Sequence, residues 1–309
     1  MTMTRYVVNR LLATIPTIIA VTILVFLMLQ LVPGDPAEIF LGEKRSTPEL
    51  LEQVRHDMGL DRPLYVQYLD YVWHALRGDL GVSLFNKQPV TKQILDALPH
   101  TLELALASLF ISTMLGVILG VVSALKHNTW IDSFAMGLAL VGVSMPVFWL
   151  GLLFIFFFSV KLQWFPPMGQ GEPSRLVLPA FALGLLSSAT LARLVRSSML
   201  EVMNEDYVRT ARAKGLAERS VIIRHALRNA LIPAITVLGL QFGGLLSGAV
   251  LTETIFARVG LGRMYVESIL NKDITMIQGL TLMLAISIML TNLLVDLSYV
   301  VLDPRIRYE

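Results

Sequence analysis

Six stretches of this chain are apolar over the length a helix needs to cross a lipid bilayer, and that pattern narrows the possible folds more than any motif does. They run over 11–32, 101–125, 131–160, 176–194, 231–251 and 277–302. Crossing the hydrocarbon takes about 20 mostly apolar residues in a helix. With no water in the bilayer core, each segment must satisfy its own backbone polar groups, which favours helices over open sheets. The expected fold class is therefore an all-α polytopic membrane protein with six transmembrane helices. The third stretch is longer than a crossing requires and is expected to tilt or to extend past the bilayer. Ser187, Ser188 and Thr190 interrupt the fourth. Prolines at Pro16, Pro146 and Pro179 are tolerable inside spans, where neighbouring helices can satisfy the freed carbonyls. Composition agrees: 55% of the 309 residues are hydrophobic and 16% charged. A soluble domain of this length would need far more charge to cover its surface.

Cysteine is absent, which excludes a disulfide framework and a cysteine-ligated metal site. The net charge of +2 is too small to imply a nucleic-acid partner. The first stretch follows Arg5 and Arg10, as the apolar part of a secretory signal would. Its apolar run is too long for that, and a Pro33-Gly34-Asp35-Pro36 turn stands where a small-residue cleavage site belongs. It reads as an uncleaved span.

The basic residues set the orientation. With the N-terminus inside, the inner segments hold Arg5, Arg10, Lys126, Arg193, Arg196, Arg209, Arg212, Lys214, Arg219, Arg224, Arg228, Arg305 and Arg307. The two short outer loops hold Lys161, Arg175, Arg258, Arg263 and Lys272. The charge rule does not count the long segment 33–100. Thirteen against five puts both termini in the cytoplasm of a multi-pass protein. Three parts follow: the N-terminus with its first helix, 1–32; an extracytoplasmic segment, 33–100; and a five-helix core, 101–309, with a cytoplasmic loop at 199–230.

The segment 33–100 carries Tyr65, Tyr68, Tyr71, Trp73 and Phe85, enough aromatic area for a small packed cap. Thr47-Pro48-Glu49 starts a helix with a cap residue and a first-position proline, and Gly59 is placed to close it. This cap reads both as a docking surface for a partner and as a lid over the span ends, and the two are compatible.

Between the fourth and fifth stretches, Leu200, Met203, Tyr207, Val208 and Ala211 recur at helical spacing on one face. Gly215 sits where a left-handed residue would end that helix. A second helix is suggested by Ser220, then Ile222, Ile223, Ala226, Leu227, Ala230 and Leu231 on one face, with Arg219, Arg224, His225 and Arg228 mostly on the other. The residues alone fit an interfacial helix pair lying on anionic lipid as well as a docking element for a partner. A DNA-binding helix-turn-helix does not belong between two spans.

The run Glu205-Asp206-Tyr207-Val208-Arg209-Thr210-Ala211-Arg212-Ala213-Lys214-Gly215-Leu216, with His225-Ala226-Leu227-Arg228-Asn229-Ala230-Leu231-Ile232-Pro233, resembles the cytoplasmic coupling loop of ABC-importer permeases. More narrowly, it is similar to the B subunits of dipeptide and oligopeptide (peptide/nickel) permeases. Pro33-Gly34-Asp35-Pro36, Gly78-Asp79-Leu80-Gly81-Val82-Ser83, Thr252-Glu253-Thr254-Ile255-Phe256 with Gly260-Leu261-Gly262, and Asp303-Pro304-Arg305-Ile306-Arg307-Tyr308 fit the same group in the same order. The resemblance covers nearly the whole chain. The broader importer signature has Glu-Ala-Ala six residues before its glycine, where this chain has Arg209-Thr210-Ala211. The spacing from Gly215 to Pro233 is also longer, and both departures are shared by the peptide subgroup.

The resemblance implies the type I importer permease fold and a transmembrane subunit forming half of a translocation pathway. It implies four kinds of partner: a second, homologous permease subunit in a heterodimer, two ATPase subunits, an extracytoplasmic substrate-binding protein, and the lipid of a bacterial inner membrane. The coupling loop, Glu205, Asp206, Tyr207, Arg209, Thr210, Ala211, Arg212, Ala213, Lys214 and Gly215, is then expected to sit in a cleft on an ATPase. The small residues Ala211, Ala213 and Gly215 allow close approach, and Arg209, Arg212 and Lys214 suit acidic groups. Related permeases serve dipeptides, longer peptides, glutathione or nickel complexes, and selection lies largely with the binding protein.

No Gly-x-x-x-x-Gly-Lys-Ser/Thr phosphate loop and no His-Glu-x-x-His zinc pair occurs. The chain is therefore expected to bind no cofactor itself, to be no enzyme, and to rely on ATP and Mg held by partner subunits. His56, His74, His100, His127 and His225 are scattered and read as solvated or capping residues. Asp296 lies within the last stretch, where ionisable groups are functional candidates; pairing with a basic residue is the expectation. Glu103 and Glu253 sit at outer span ends and read as snorkelling or interface residues rather than ligands, and Gly239, Gly243, Gly244 and Gly248 as close-packing positions. An ion-driven secondary transporter would show inverted repeats, broken helices and midplane charges; this sequence has no convincing repeat and almost no midplane charge. A non-transporting assembly factor is the other alternative.

Overall fold

The computed structural model describes residues 3–31, 36–41, 47–57 and 59–302. The Pro33-Gly34-Asp35 turn, the motif at 303–308 and the side chain of Asp296 lie outside the described residues. Among the described residues the regular elements are helices, and the strand-like pairing is an isolated bridge between Val82 and Pro89. In chain order they are α1 (Met3–Leu31), α2 (Pro36–Leu41), α3 (Pro48–Asp57), α4 (Leu64–Leu76) and α5 (Val90–Leu125). Next come α6 (Trp130–Ser144), α7 (Val147–Phe154), α8 (Ser174–Val202), α9 (Asp206–Ala213) and α10 (Glu218–Ser220). The last are α11 (Arg228–Ala230), α12 (Ile232–Ile255), α13 (Leu261–Leu270) and α14 (Ile274–Leu302).

By length and composition, Val90–Leu125, Ser174–Val202 and Ile274–Val295 are long and apolar enough to cross a membrane, and two bent pairs raise the number to five. The α1 helix is apolar over Leu12–Met28. The third stretch departs from expectation. It does not simply tilt: Met145 takes the extended conformation that precedes proline, Pro146 starts a new helix, and the two halves meet at 102°. The second half widens into a π-type turn over Ile155–Lys161.

The chain forms two compact units. The first comprises Met1–Pro99 and Gly260–Leu290. Its core joins Val90, Ile94 and Ala97 of α5 to Leu261 of α13 and Met276 and Leu280 of α14. Asp273 organises this unit. As the N-cap of α14 its Oδ1 accepts from Met276 N at 3.3 Å and from Leu84 N at 3.0 Å, while Oδ2 accepts from the Ser83 hydroxyl. The Gly78–Ser83 motif thus has a structural role. Gly81, at φ +86°, is held by Asp79 Oδ1 accepting from its N–H at 2.9 Å. Thr91 Oγ1 donates to Gly78 O and accepts from Leu80 N. Tyr68 and Tyr71 of α4 pack on Phe26 of α1, and the Thr22 and Tyr68 hydroxyls are 3.0 Å apart. The other aromatics expected in this cap behave differently: Tyr65, Trp73 and Phe85 are exposed, and Arg77 stacks over Trp73 at 4.3 Å.

The second unit comprises His100–Val259 and Thr291–Glu309. Its centre is α8, whose small residues Ala180, Ala189 and Ala192 are buried together with Leu191, Val195 and Met199. On α5, Gly116 and Gly120 face α8 so closely that an added Cβ would lie 2.8 Å from Leu191 Cβ and 2.7 Å from the Ala192 carbonyl oxygen. Small residues at this spacing let helix backbones approach. Ser187 and Ser188 do not interrupt α8; their hydroxyls donate to the Leu183 and Leu185 carbonyls within the helix.

Candidate functional site

The segment joining α8 to α12 folds into a small tertiary element. Asn204 Nδ2 donates to Leu200 O at 2.9 Å and helps end α8. The short α9 then buries Val208 and Ala211, which pack on Val221. Its end follows the pattern that a left-handed glycine permits. Gly215 has φ +76°, its N–H donates to Arg212 O at 2.9 Å, and Leu216 N donates to Ala211 O at 3.4 Å. Those two bonds make a Schellman turn. An added Cβ at Gly215 would meet nothing within 4 Å, so backbone conformation alone selects glycine.

Beyond the turn, α10 continues through a wide π-type turn, Val221–Leu227, into α11 and then α12 with a 51° bend. The five-residue spacing buries Val221 and Ala226, with Ala230 next, while Ile223 is exposed. The regular 3.6 period expected here put Ile223 inside; the wide turn rotates the register and replaces it with Val221.

The outward side chains are mostly polar. Glu205, Asp206, Arg209, Thr210, Arg212, Ala213, Lys214 and Gly215 are exposed. Tyr207 was expected on the buried face; it is exposed at its ring, and its hydroxyl accepts from Asn229 Nδ2 at 2.8 Å. Arg212 is not left for an outside acid. It bridges the glycine turn to Glu218, Nη2 to Oε1 at 2.8 Å. This bond holds the Glu218 carboxyl below its ordinary range and raises the Arg212 guanidinium. Arg209 lies 3.8 Å from Asp206, a loose contact. The element therefore presents Ala213, Lys214 and Gly215 at an exposed tip, held from within by Val208 and Ala211 and braced by the Arg212–Glu218 pair.

This exposed, self-supported tip lies between two long apolar helices, α8 and α12. The family model described as binding-protein-dependent transport system inner membrane component matches residues 116–308, and the model for the N-terminal part of such components matches 3–105. This chain belongs to that family. Among its relatives, the di/tripeptide transport system permease protein DppB of Pseudomonas aeruginosa is 43% identical, covering 99% of this chain and all of the relative. The dipeptide transport system permease protein DppB of Escherichia coli is 41% identical over the same shares. The glutathione transport system permease protein GsiC of Salmonella typhimurium is also 41% identical. The fold is shared with a chain of the MetNI methionine ABC transporter in an inward-facing conformation, at TM-score 0.59 and 17% identity, covering 68% of this chain and 96% of that one.

Other charged residues of this inner membrane component are placed differently from expectation. Glu253 is 1% exposed, and its Oε1 accepts from Thr101 Oγ1 at 2.7 Å. Glu103 pairs at 2.9 Å with Arg258, which is 2% exposed. Sequence reading assigned the partners of neither, because each pairing joins residues more than 150 positions apart. Asp132 and Arg196 form a second pair that pattern reading missed. Of the α12 glycines, Gly239 is a close approach, where a Cβ would lie 2.3 Å from Val295 Cγ2, whereas Gly244 faces open space. His56 bonds Asp61 at 2.8 Å and His74 bonds the Asp70 carbonyl at 2.7 Å. Among the described residues no three His, Asp or Glu side chains gather as metal ligands.

Proposed function

We propose that this chain is one of two homologous permease subunits of an ATP-driven importer for peptides, of the dipeptide or oligopeptide kind. Full-length similarity to di/tripeptide, dipeptide and glutathione permeases carries this reading, since glutathione is itself a small peptide. The chain crosses a bacterial inner membrane six times with both termini in the cytoplasm. The segment 33–100 lies outside, and 101–309 forms half of the translocation pathway opposite the second permease. ATP and Mg are bound and used by two ATPase subunits, and an external binding protein delivers the peptide.

In this reading the tip at 205–215 is the coupling loop. Ala213 and Gly215 present little side chain, so an ATPase cleft can close on the backbone. Arg209 and Lys214 face its acidic groups, and Arg212, tied to Glu218, stiffens the turn so that cleft movement is passed to α8 and α12. The chain alone should hydrolyse no ATP. The purified complex with its ATPases and second permease should hydrolyse it, faster when peptide-loaded binding protein is added. Hydrolysis by this chain alone would refute the division of labour.

A further inference from the structure

Away from the coupling tip, α6 and α8 enclose a cavity of about 380 Å³ lined by Met136, Ala139, Leu140, Ala189, Arg193 and Arg196. The two helices run antiparallel: Asp132 meets Arg196, and Ala139 packs with Ala189. Polarity therefore changes along the cleft. At one end stand Arg193 and Arg196, one helical turn apart; at the other the wall is Ala139, Leu140 and Ala189. Arg193 is 19 positions past the start of α8, which at about 1.5 Å per residue places it about 28 Å along the helix. A hydrocarbon core is about 30 Å thick. If α8 starts near one face, Arg193 lies near the headgroup boundary of the other, with the apolar wall deeper in the bilayer.

The charges at the polar end are incompletely cancelled. Asp132 takes both Nε and Nη2 of Arg196 at 2.8 Å and also accepts from the Ser123 hydroxyl and, at 3.0 Å, from Asn128 N. Its carboxylate is thus fully engaged. His127 Nδ1 lies 3.0 Å from Arg196 Nη2. Arg193 is exposed and has no hydrogen-bond or ion-pair partner among the described residues. Two guanidinium groups against one carboxylate leave one positive charge at the mouth of an apolar cleft.

We infer that this cleft holds one anionic phospholipid of the adjacent leaflet, its phosphodiester on Arg193 and the free edge of Arg196 and an acyl chain along Met136, Leu140 and Ala189. A basic pocket between spans, polar at the headgroup level and apolar below, has the chemistry for such a lipid. A free phosphate would not use the apolar wall.

The test uses the assembled importer in phosphatidylethanolamine nanodiscs containing phosphatidylglycerol with a photoactivatable acyl chain. Crosslinks should map to α6 and α8 around the cleft, and a phosphatidylcholine probe should label it weakly. R193Q should lower labelling about fivefold, as expected for one basic residue near an anionic headgroup, while R193K should retain most of it. Leu140→Gln, which makes the exposed part of the apolar wall polar, should lower it as well. Equal labelling by both lipids, undiminished labelling of R193Q, or competition by inorganic phosphate would overturn the assignment. So would a crosslink from position 193 to another protein chain, which would make the cleft a subunit interface.

Discussion

The segment between α1 and α5 and the segment between α8 and α12 both turn sharply on left-handed glycines, yet they use their polar groups in opposite ways. Around Gly78 and Gly81 the polar side chains bond back to their own unit, and Ser83 and Asp273 do so while buried. Asp79, Thr91, Ser83 and the buried Asp273 bond to backbone or to one another within the same unit. Around Gly215 the turn is closed by backbone bonds and one exposed pair, Arg212–Glu218, and the remaining charges point outward. The first arrangement fixes a shape from within. The second keeps a compact tip while leaving its polar side chains exposed.

The largest effect that would test this contrast is at Asp273. Asp273→Ala removes an N-cap and leaves the buried Ser83 hydroxyl and Leu84 N–H without an acceptor. A lost cap costs about 1 kcal/mol and each orphaned buried donor roughly 1–3 kcal/mol. We expect marked loss of protease resistance around residues 78–98 with the coupling tip unaffected. Unchanged resistance would show that this network does not hold that segment.

Gly215→Val should cost less, about 1–2 kcal/mol for a left-handed residue with a side chain, because open space surrounds the position. Amide exchange across 211–218 should quicken while exchange around Asp273 stays as it was. Equal loosening of both regions would break the comparison.

The smallest effect is at Glu218. Arg212 lowers its carboxyl below the ordinary range, so the pair's contribution is present above that range and is lost as pH falls through the lowered value. Glu218→Gln should give slightly faster exchange at Gly215 and Leu216 at neutral pH, and the difference should close in acid. A difference that grows on acidification would reverse the sign and rule out the pair as its source.

What was legible in the sequence is local. The Pro48 start of α3, the Gly215 turn and the apolar lengths of α5, α8 and α14 each depend on residues a few positions apart. The break at Pro146 was less legible, because proline inside an apolar run is compatible with a kinked span and with two helices. The π-type register at Val221–Leu227 defeated a 3.6-residue count. Most remote, the pairs of Glu253 with Thr101, Glu103 with Arg258 and Asp132 with Arg196 depend on which helices meet. Asp273, just ahead of a long apolar run, carried an N-cap signal that a search for helix starts would have found.

The central claim is that the tip at 205–215 docks in an ATPase cleft, and Ala213 tests it most directly. Ala213 is exposed here, so Ala213→Glu should leave folding and membrane insertion intact. In a closed cleft the new carboxylate would be buried without a partner, at a cost on the order of 3–5 kcal/mol, which weakens association by roughly a hundredfold or more. The measurement is co-purification of the ATPase subunits together with peptide uptake, at matched levels of inserted protein. We predict that both fail together in Ala213→Glu. Normal uptake with the ATPases still bound would contradict the account and leave the tip as an element resting on the lipid surface.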